Sequence, residues 1–298
     1  MLKFTKSSDK MGNKRSRPLP AKVYMTDAEV IYKAVTQGFT ERARNILLDM
    51  SDEQKKNLAD GFRALIETEE EKSNIVANCA DYFEILILIG SMFENPKDRR
   101  FAMQQYEIGG KYNYLPSLCA MARNYKLDGD DVKSRDMYMK IVDLNSEYYD
   151  AKYKLVEEHY SFWKEKFNPE ETLLEAAGAN HQQSILYLAR GYQYGKEDIQ
   201  PDEKKAEKFS VQFLKLCRFW GGNVLPLCEI GYYFTIKNDL ALAIIAYSLA
   251  SSDATGNDKS EIQKEIARIR ELINGLPIRE KIKTEGEIEP LFKEILGR

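Results

Sequence analysis

Apolar residues recur along most of this chain at spacings of three and four, the period of one face of an α-helix, and no run of alternating β-branched residues competes. The clearest stripe is Ile262, Ile266, Ile269 and Ile273. Polar residues that can satisfy the free N–H groups of a first turn precede the stripes. Thr26-x-x-Glu29 and Ser51-x-x-Gln54 read as capping boxes, and Asp258-x-x-Glu261 places another ahead of the isoleucines. Asn168-Pro169-Glu170-Glu171 sets a cap, a proline at the first helical position and a capping glutamate in order. The pattern predicts helix throughout from Thr26 onward.

The helical pattern itself repeats. Ser184-Ile-Leu-Tyr-Leu-Ala-Arg-Gly-Tyr192 aligns with Ser117-Leu-Cys-Ala-Met-Ala-Arg-Asn-Tyr125 at an offset of 67, and the same frame takes in residues 89–93, 151–159 and 226–234. One position in each unit is Gly90, Ala122, Val156, Ala189 and Gly231, at intervals of 32, 34, 33 and 42. A small residue followed three later by a ring lets two antiparallel helices approach closely while the ring fills the groove. A polar turn and a second helix follow. The second helix opens Asp202-Glu-Lys-Lys-Ala206-Glu-Lys-Phe209 in one unit and Asp98-Arg-Arg-Phe-Ala102-Met-Gln-Gln-Tyr106 in another, where Gly109-Gly110 is expected to end it.

In this order of small residue, aromatic, turn, Asp-x-x-x-Ala-x-x-aromatic and closing glycine or asparagine, the chain resembles the Sel1-like repeat family, a TPR-like class. The match spans about residues 73–252 and is best at Glu175-Ala-Ala-Gly178 followed by Leu188-Ala189-x-x-Tyr192. Val156 and His159 depart from the pattern, and the interval of 42 carries extra residues around 209–222. The resemblance implies an all-α, right-handed superhelical solenoid of antiparallel helix pairs, working as a non-catalytic adaptor or scaffold. The expected organisation is a basic disordered tail at 1–24, an N-terminal helical cap at 25–72, the repeat array at 73–252 and capping helices at 253–298. In the last of these, Leu291, Phe292, Ile295 and Leu296 form an apolar side expected to close the core.

A helix pair cannot bury its apolar face alone, so stacking builds a continuous core and leaves a concave surface formed by the first helices. With positions 185, 188, 189 and 192 in the core, the opposite face holds 183, 187, 190 and 194. Carried through the offsets, this gives Arg123, Lys154, Glu157, Tyr187, Arg190, Tyr194, Glu229 and Tyr232 as groove candidates. Arginine and tyrosine are enriched at binding hot spots. Arg123 and Arg190 share one repeat position and would favour an acidic or carboxylate-bearing protein or peptide partner.

Charge and composition narrow the alternatives. A net charge of −3 over 298 residues argues against a nucleic-acid binder as a whole. Residues 1–24 differ, with seven basic residues against Asp9 alone, and are the one segment suited to nucleic acid or an anionic membrane. Inside them, Met11-Gly12-Asn13-Lys14-Arg15-Ser16 fits the N-myristoylation pattern only if translation begins at Met11. No apolar run approaches the roughly 18 residues of a membrane span, and no apolar stretch follows the basic start as in a secretory signal. Cys79, Cys119, Cys217 and Cys228 form no CxxC pair and have apolar neighbours, the signature of buried reduced thiols and a cytoplasmic protein. His159 falls at an aromatic repeat position and is expected to pack, while His181 is expected to be exposed. Neither histidine has an HExxH setting or an adjacent nucleophile, and Gly109-Gly110-Lys111 lacks phosphate-loop spacing. The reading is therefore a protein-binding scaffold without cofactor, metal or catalysis. The alternatives are recruitment through the basic tail and a secreted effector or immunity role.

Overall fold

The computed structural model describes residues 25–69, 75–217 and 223–296. The basic segment 1–24 with its Met11 pattern, and Gly221-Gly222, lie outside the described residues. Among the described residues there are sixteen α-helices, with one isolated bridge between Lys196 and Ile199. The chain divides into two compact units, Met1–Ala151 and Lys152–Arg298.

The first unit holds α1 (Met25–Thr36), α2 (Thr40–Asp49), α3 (Asp52–Glu67), α4 (Ile75–Ser91), α5 (Arg99–Gly110), α6 (Leu115–Leu127) and α7 (Asp131–Leu144). Helices α3 to α6 each pack on their successor, and α1 packs on both α2 and α4. The division falls within α8 (Tyr149–Glu158). The second unit continues with α9 (Tyr160–Lys166), α10 (Pro169–Gly178), α11 (Gln182–Tyr194), α12 (Glu203–Cys217), α13 (Val224–Ile236), α14 (Leu240–Asp253), α15 (Gly256–Gly275) and α16 (Ile278–Leu296). Here α10–α11, α11–α12 and α13–α14 are packed pairs, and α14 also lies against α15 and α16.

The repeat frame is a packing rule. Gly90, Ala122, Val156, Ala189 and Gly231 are all buried on α4, α6, α8, α11 and α13. A Cβ on Gly90 would come within 2.5 Å of the Tyr106 ring on α5, and one on Gly231 within 2.7 Å of Tyr247 on α14. Ala122 and the buried Tyr138 share this separation of 16 residues. At Gly90 and Gly231 the missing side chain thus makes room for a tyrosine from the second helix of the same pair. Ala102 and Ala206 are fully buried on the second helices, and the Tyr192 ring stacks on Phe209 with centroids 5.7 Å apart.

Five turns share one closing device. The N–H of Phe39, Tyr114, Asp130, His181 and Asp239 each bonds the carbonyl five residues back, at 2.8 to 3.0 Å. The residue before each, Gly38, Asn113, Gly129, Asn180 or Asn238, has positive φ. That is the Schellman arrangement, which needs a left-handed residue and so selects glycine or asparagine. Asp130, His181 and Asp239 then cap the following helix, so one helix ends and the next begins within three residues.

The predicted caps hold at Ser51, which exchanges both capping-box bonds with Gln54, and at Asn168, which accepts from the N–H groups of Glu170 and Glu171. Asp258 is not a cap. Helix α15 already starts at Gly256 behind Thr255, so Asp258 sits inside its first turn. Helix α5 ends at Gly110 as expected, but the left-handed residue that closes it is Asn113, and the two glycines have a second role. They are buried within it, where a Cβ would strike Ser117 and Met121 of α6, so their absent side chains set how closely α5 and α6 approach. At the C-terminus the isoleucine stripe of α15 is buried, as is Ile295 of α16, while Leu291 and Phe292 are half-buried.

Candidate partner-binding surface

In the first unit, Arg123 on α6 is half-exposed and bonds Glu94 at 2.5 Å. The same Glu94 oxygen accepts the Tyr106 hydroxyl at 2.7 Å. Burial, then the Glu94 carboxylate, pushes the Tyr106 phenol far above its ordinary range, so it remains a donor at any physiological pH. Glu94 therefore ties a core tyrosine and a surface arginine into one fixed corner.

In the second unit the candidates fall into two groups. On α8, Lys154 bonds Glu157 at 2.6 Å and Glu158 at 2.9 Å, and Glu157 also accepts the Tyr153 hydroxyl at 2.5 Å. Burial opposes ionisation of Glu157, but the Lys154 and Tyr153 hydrogen bonds together hold its carboxyl below the usual range. The Tyr153 ring meets Tyr187 edge-on with centroids 6.2 Å apart.

The second group lies on α11 and α13. Arg190 donates to Glu229 from Nε at 2.8 Å and from Nη2 at 2.5 Å, joining the two helices. Tyr194, one turn beyond Arg190, is 64% exposed, and Tyr232, one turn beyond Glu229, is 54% exposed. The α13 stretch adds Leu225 at 69% and Ile236 at 61%, on the face opposite Leu227, Ile230 and Phe234, which are buried. Sequence reasoning missed these two. The signal was present in the near-continuous apolar character of residues 224–236, where Leu225, Tyr232 and Ile236 fall on one helical face and the core residues on the other.

Two expectations need correction. Tyr187 is not on an open face. It is only 4% exposed because the α11–α12 turn, closed by the Lys196–Ile199 bridge, lays the Lys196 ammonium over its ring at 3.8 Å while Glu197 accepts its hydroxyl at 2.8 Å. His181 is half-buried, not exposed, because it caps α11: its Nδ1 lies 3.4 Å from the Ser184 amide nitrogen, which donates to it, and 2.8 Å from the Ser184 hydroxyl. His159 is half-buried at the start of α9.

The four cysteines are free thiols. Burial pushes the thiols of Cys119 and Cys217 up to about 12, far from nucleophilic reactivity at neutral pH. Among the described residues, no three of histidine, cysteine, aspartate and glutamate are grouped to hold a metal ion, and no helix is long and apolar enough to cross a membrane.

No family model and no curated relative matches the chain. Among solved structures it is similar to the crystal structure of a protective antigen present in uropathogenic Escherichia coli strains, which displays an SLR (Sel1-like repeat) fold. The TM-score is 0.51 at 12% identity, over 91% of this chain and 60% of that one, so this chain spans well under two thirds of its length. Likeness at this identity concerns architecture alone. With the buried small-residue frame and the paired helices, it establishes that the chain has the all-α solenoid fold of the Sel1-like repeats.

Proposed function

We propose that this protein is a non-catalytic adaptor or scaffold that binds a protein partner on the outward face of α11 and α13. The Sel1-like repeat fold is a protein-interaction scaffold and is generally non-enzymatic. The observation that carries the location is the exposure of Tyr194, Tyr232, Leu225 and Ile236 around the Arg190–Glu229 pair. An apolar and aromatic cluster of this kind, with one oriented charge pair inside it, has the composition of an interface core.

The chemistry of the partner is revised by the same geometry. Arg123 and Arg190 already hold the carboxylates of Glu94 and Glu229. An acidic partner would have to displace an internal glutamate at each position, so apolar and aromatic contact leads and charge orients. The four free thiols, two of them buried, support placing the protein in the cytoplasm.

The test compares Tyr194→Ala/Tyr232→Ala with deletion of residues 1–24 in affinity capture. Both tyrosines are exposed, so the double variant should fold normally by circular dichroism and lose the partner. Capture that survives the double variant but fails on tail deletion would transfer the function to recruitment through the basic segment.

A further inference from the structure

The outward stripe of α13 is symmetrically spaced about its centre. Leu225, Glu229, Tyr232 and Ile236 lie within one narrow arc of the helix, opposite the buried Leu227, Ile230 and Phe234. Counted from the midpoint between Ile230 and Gly231, Leu225 and Ile236 are equally distant, and so are Glu229 and Tyr232. A second α13 laid antiparallel across a two-fold axis at that midpoint sets Leu225 against Ile236 of the other copy at both ends. It sets Glu229 against Tyr232 of the other copy on either side of the centre. An isologous interface requires that residue i meet j while j meets i, and this stripe satisfies the condition with an apolar pair and a donor–acceptor pair.

The polar half of that register is prepared within one chain. Both bonds from Arg190 fall on Glu229 Oε2, so the pair holds the carboxylate while Oε1 takes no bond from Arg190. The Tyr232 hydroxyl makes no hydrogen bond to the described residues of its own chain. A tyrosine hydroxyl on a glutamate is also the pairing this protein uses repeatedly inside itself, at Tyr106–Glu94, Tyr114–Glu84, Tyr153–Glu157 and Tyr187–Glu197.

We propose that the occupant of the α13 face is a second copy of this chain, paired through a two-fold antiparallel α13–α13 contact. The proposal rests on the reading of this face as a protein-binding surface and names its partner. The stripe is about 16 Å long at ~1.5 Å per residue, short of the ~800 Å² per partner of a standard stable interface. The dimer is therefore weak and exchangeable, with a dissociation constant on the order of 10–100 μM.

Sedimentation equilibrium of the full chain, from about 5 to 500 μM to bracket that constant, should show a monomer–dimer equilibrium. Leu225→Asp and Ile236→Asp should each be monomeric throughout with unchanged helical circular dichroism, because both positions are exposed. Tyr232→Phe should weaken the dimer about fivefold to a hundredfold, because it removes both symmetry-related hydrogen bonds. Register is read separately in a Cys228→Ser background by mixing a Leu225→Cys chain with an Ile236→Cys chain, which should form disulfides between unlike chains in preference to like ones. A wild-type monomer at every concentration, a dimer indifferent to Leu225→Asp, or like-with-like cross-links would each overturn the proposal. A monomer whose partner capture still depends on Tyr194 and Tyr232 would overturn the second copy alone and leave the face as a site for another protein.

Discussion

Arg123 and Arg190 occupy the same repeat position, 67 residues apart, yet the corners around them differ. Arg123 reaches back along the chain to Glu94, which is fixed by the buried Tyr106 beneath it. Arg190 reaches forward to Glu229 on the next first-helix, with no core tyrosine on that carboxylate and two exposed tyrosines beside it. The first corner is an extension of the core onto the surface; the second is a surface feature that happens to join two helices. Equivalent positions in a repeat therefore share burial, which the helix period dictates, but not surface partners, which depend on residues far away in sequence.

The largest effect expected from this comparison lies under the corners. Gly90→Val places a branched side chain against the Tyr106 ring, and Gly231→Val does the same to Tyr247. Each should destabilise by about 2–4 kcal/mol in denaturant unfolding, through overpacking and the forced shift of a buried ring. A loss of less than about 0.5 kcal/mol would mean that the tyrosines do not fill the space the glycines leave.

The glutamates separate the corners more sharply. Glu94→Ala strands the Tyr106 hydroxyl, a buried donor, and should cost about 1–3 kcal/mol. Glu229→Ala removes only a half-exposed pair and should cost about 0.5 kcal/mol or less. Equal costs would contradict the distinction drawn between core extension and surface pair.

Gly178 closes α10 with open space around it and an ordinary helical φ, so Gly178→Ala should raise stability by about 0.5–1 kcal/mol, in contrast to the two packed glycines. The smallest effect concerns pH. The Glu157 carboxyl is depressed in the folded protein, so its contribution is present above the unfolded value near the ordinary glutamate range and is lost as pH falls through the folded one. Because the site is partly exposed, the contribution after solvent screening is about half a kcal/mol. Wild type and Glu157→Gln should differ in melting temperature at neutral pH and converge in acid; a difference that grows in acid would reverse the assignment.

Much of this architecture was legible in the amino-acid pattern. Five repeat positions, four of them small and three of their four intervals nearly equal, found five buried sites, and Ser51 and Asn168 found their caps, because both signals are local and helical geometry leaves them little choice. The site was less legible. The burial of Tyr187 depends on a turn nine residues later folding its lysine back over the ring, and the Arg190–Glu229 pair spans 39 residues. Gly109 and Gly110 do mark the end of α5, but their packing role was not legible, because glycine signals both a helix end and a close helix approach and only the position of α6 reveals the second. Leu225 and Ile236 were overlooked because α13 is apolar on two opposite faces, which hides an exposed stripe among core residues.

The most direct test of the α11–α13 face is hydrogen–deuterium exchange of the full chain alone and with the protein recovered by affinity capture, or across a concentration series where that protein is a second copy. The account predicts new protection concentrated in α11 and α13, around Tyr194 and residues 225–236, with α6 around Arg123 unchanged. Protection confined to α6 or to the helices before it, with α11 and α13 exchanging as in the free chain, would contradict it.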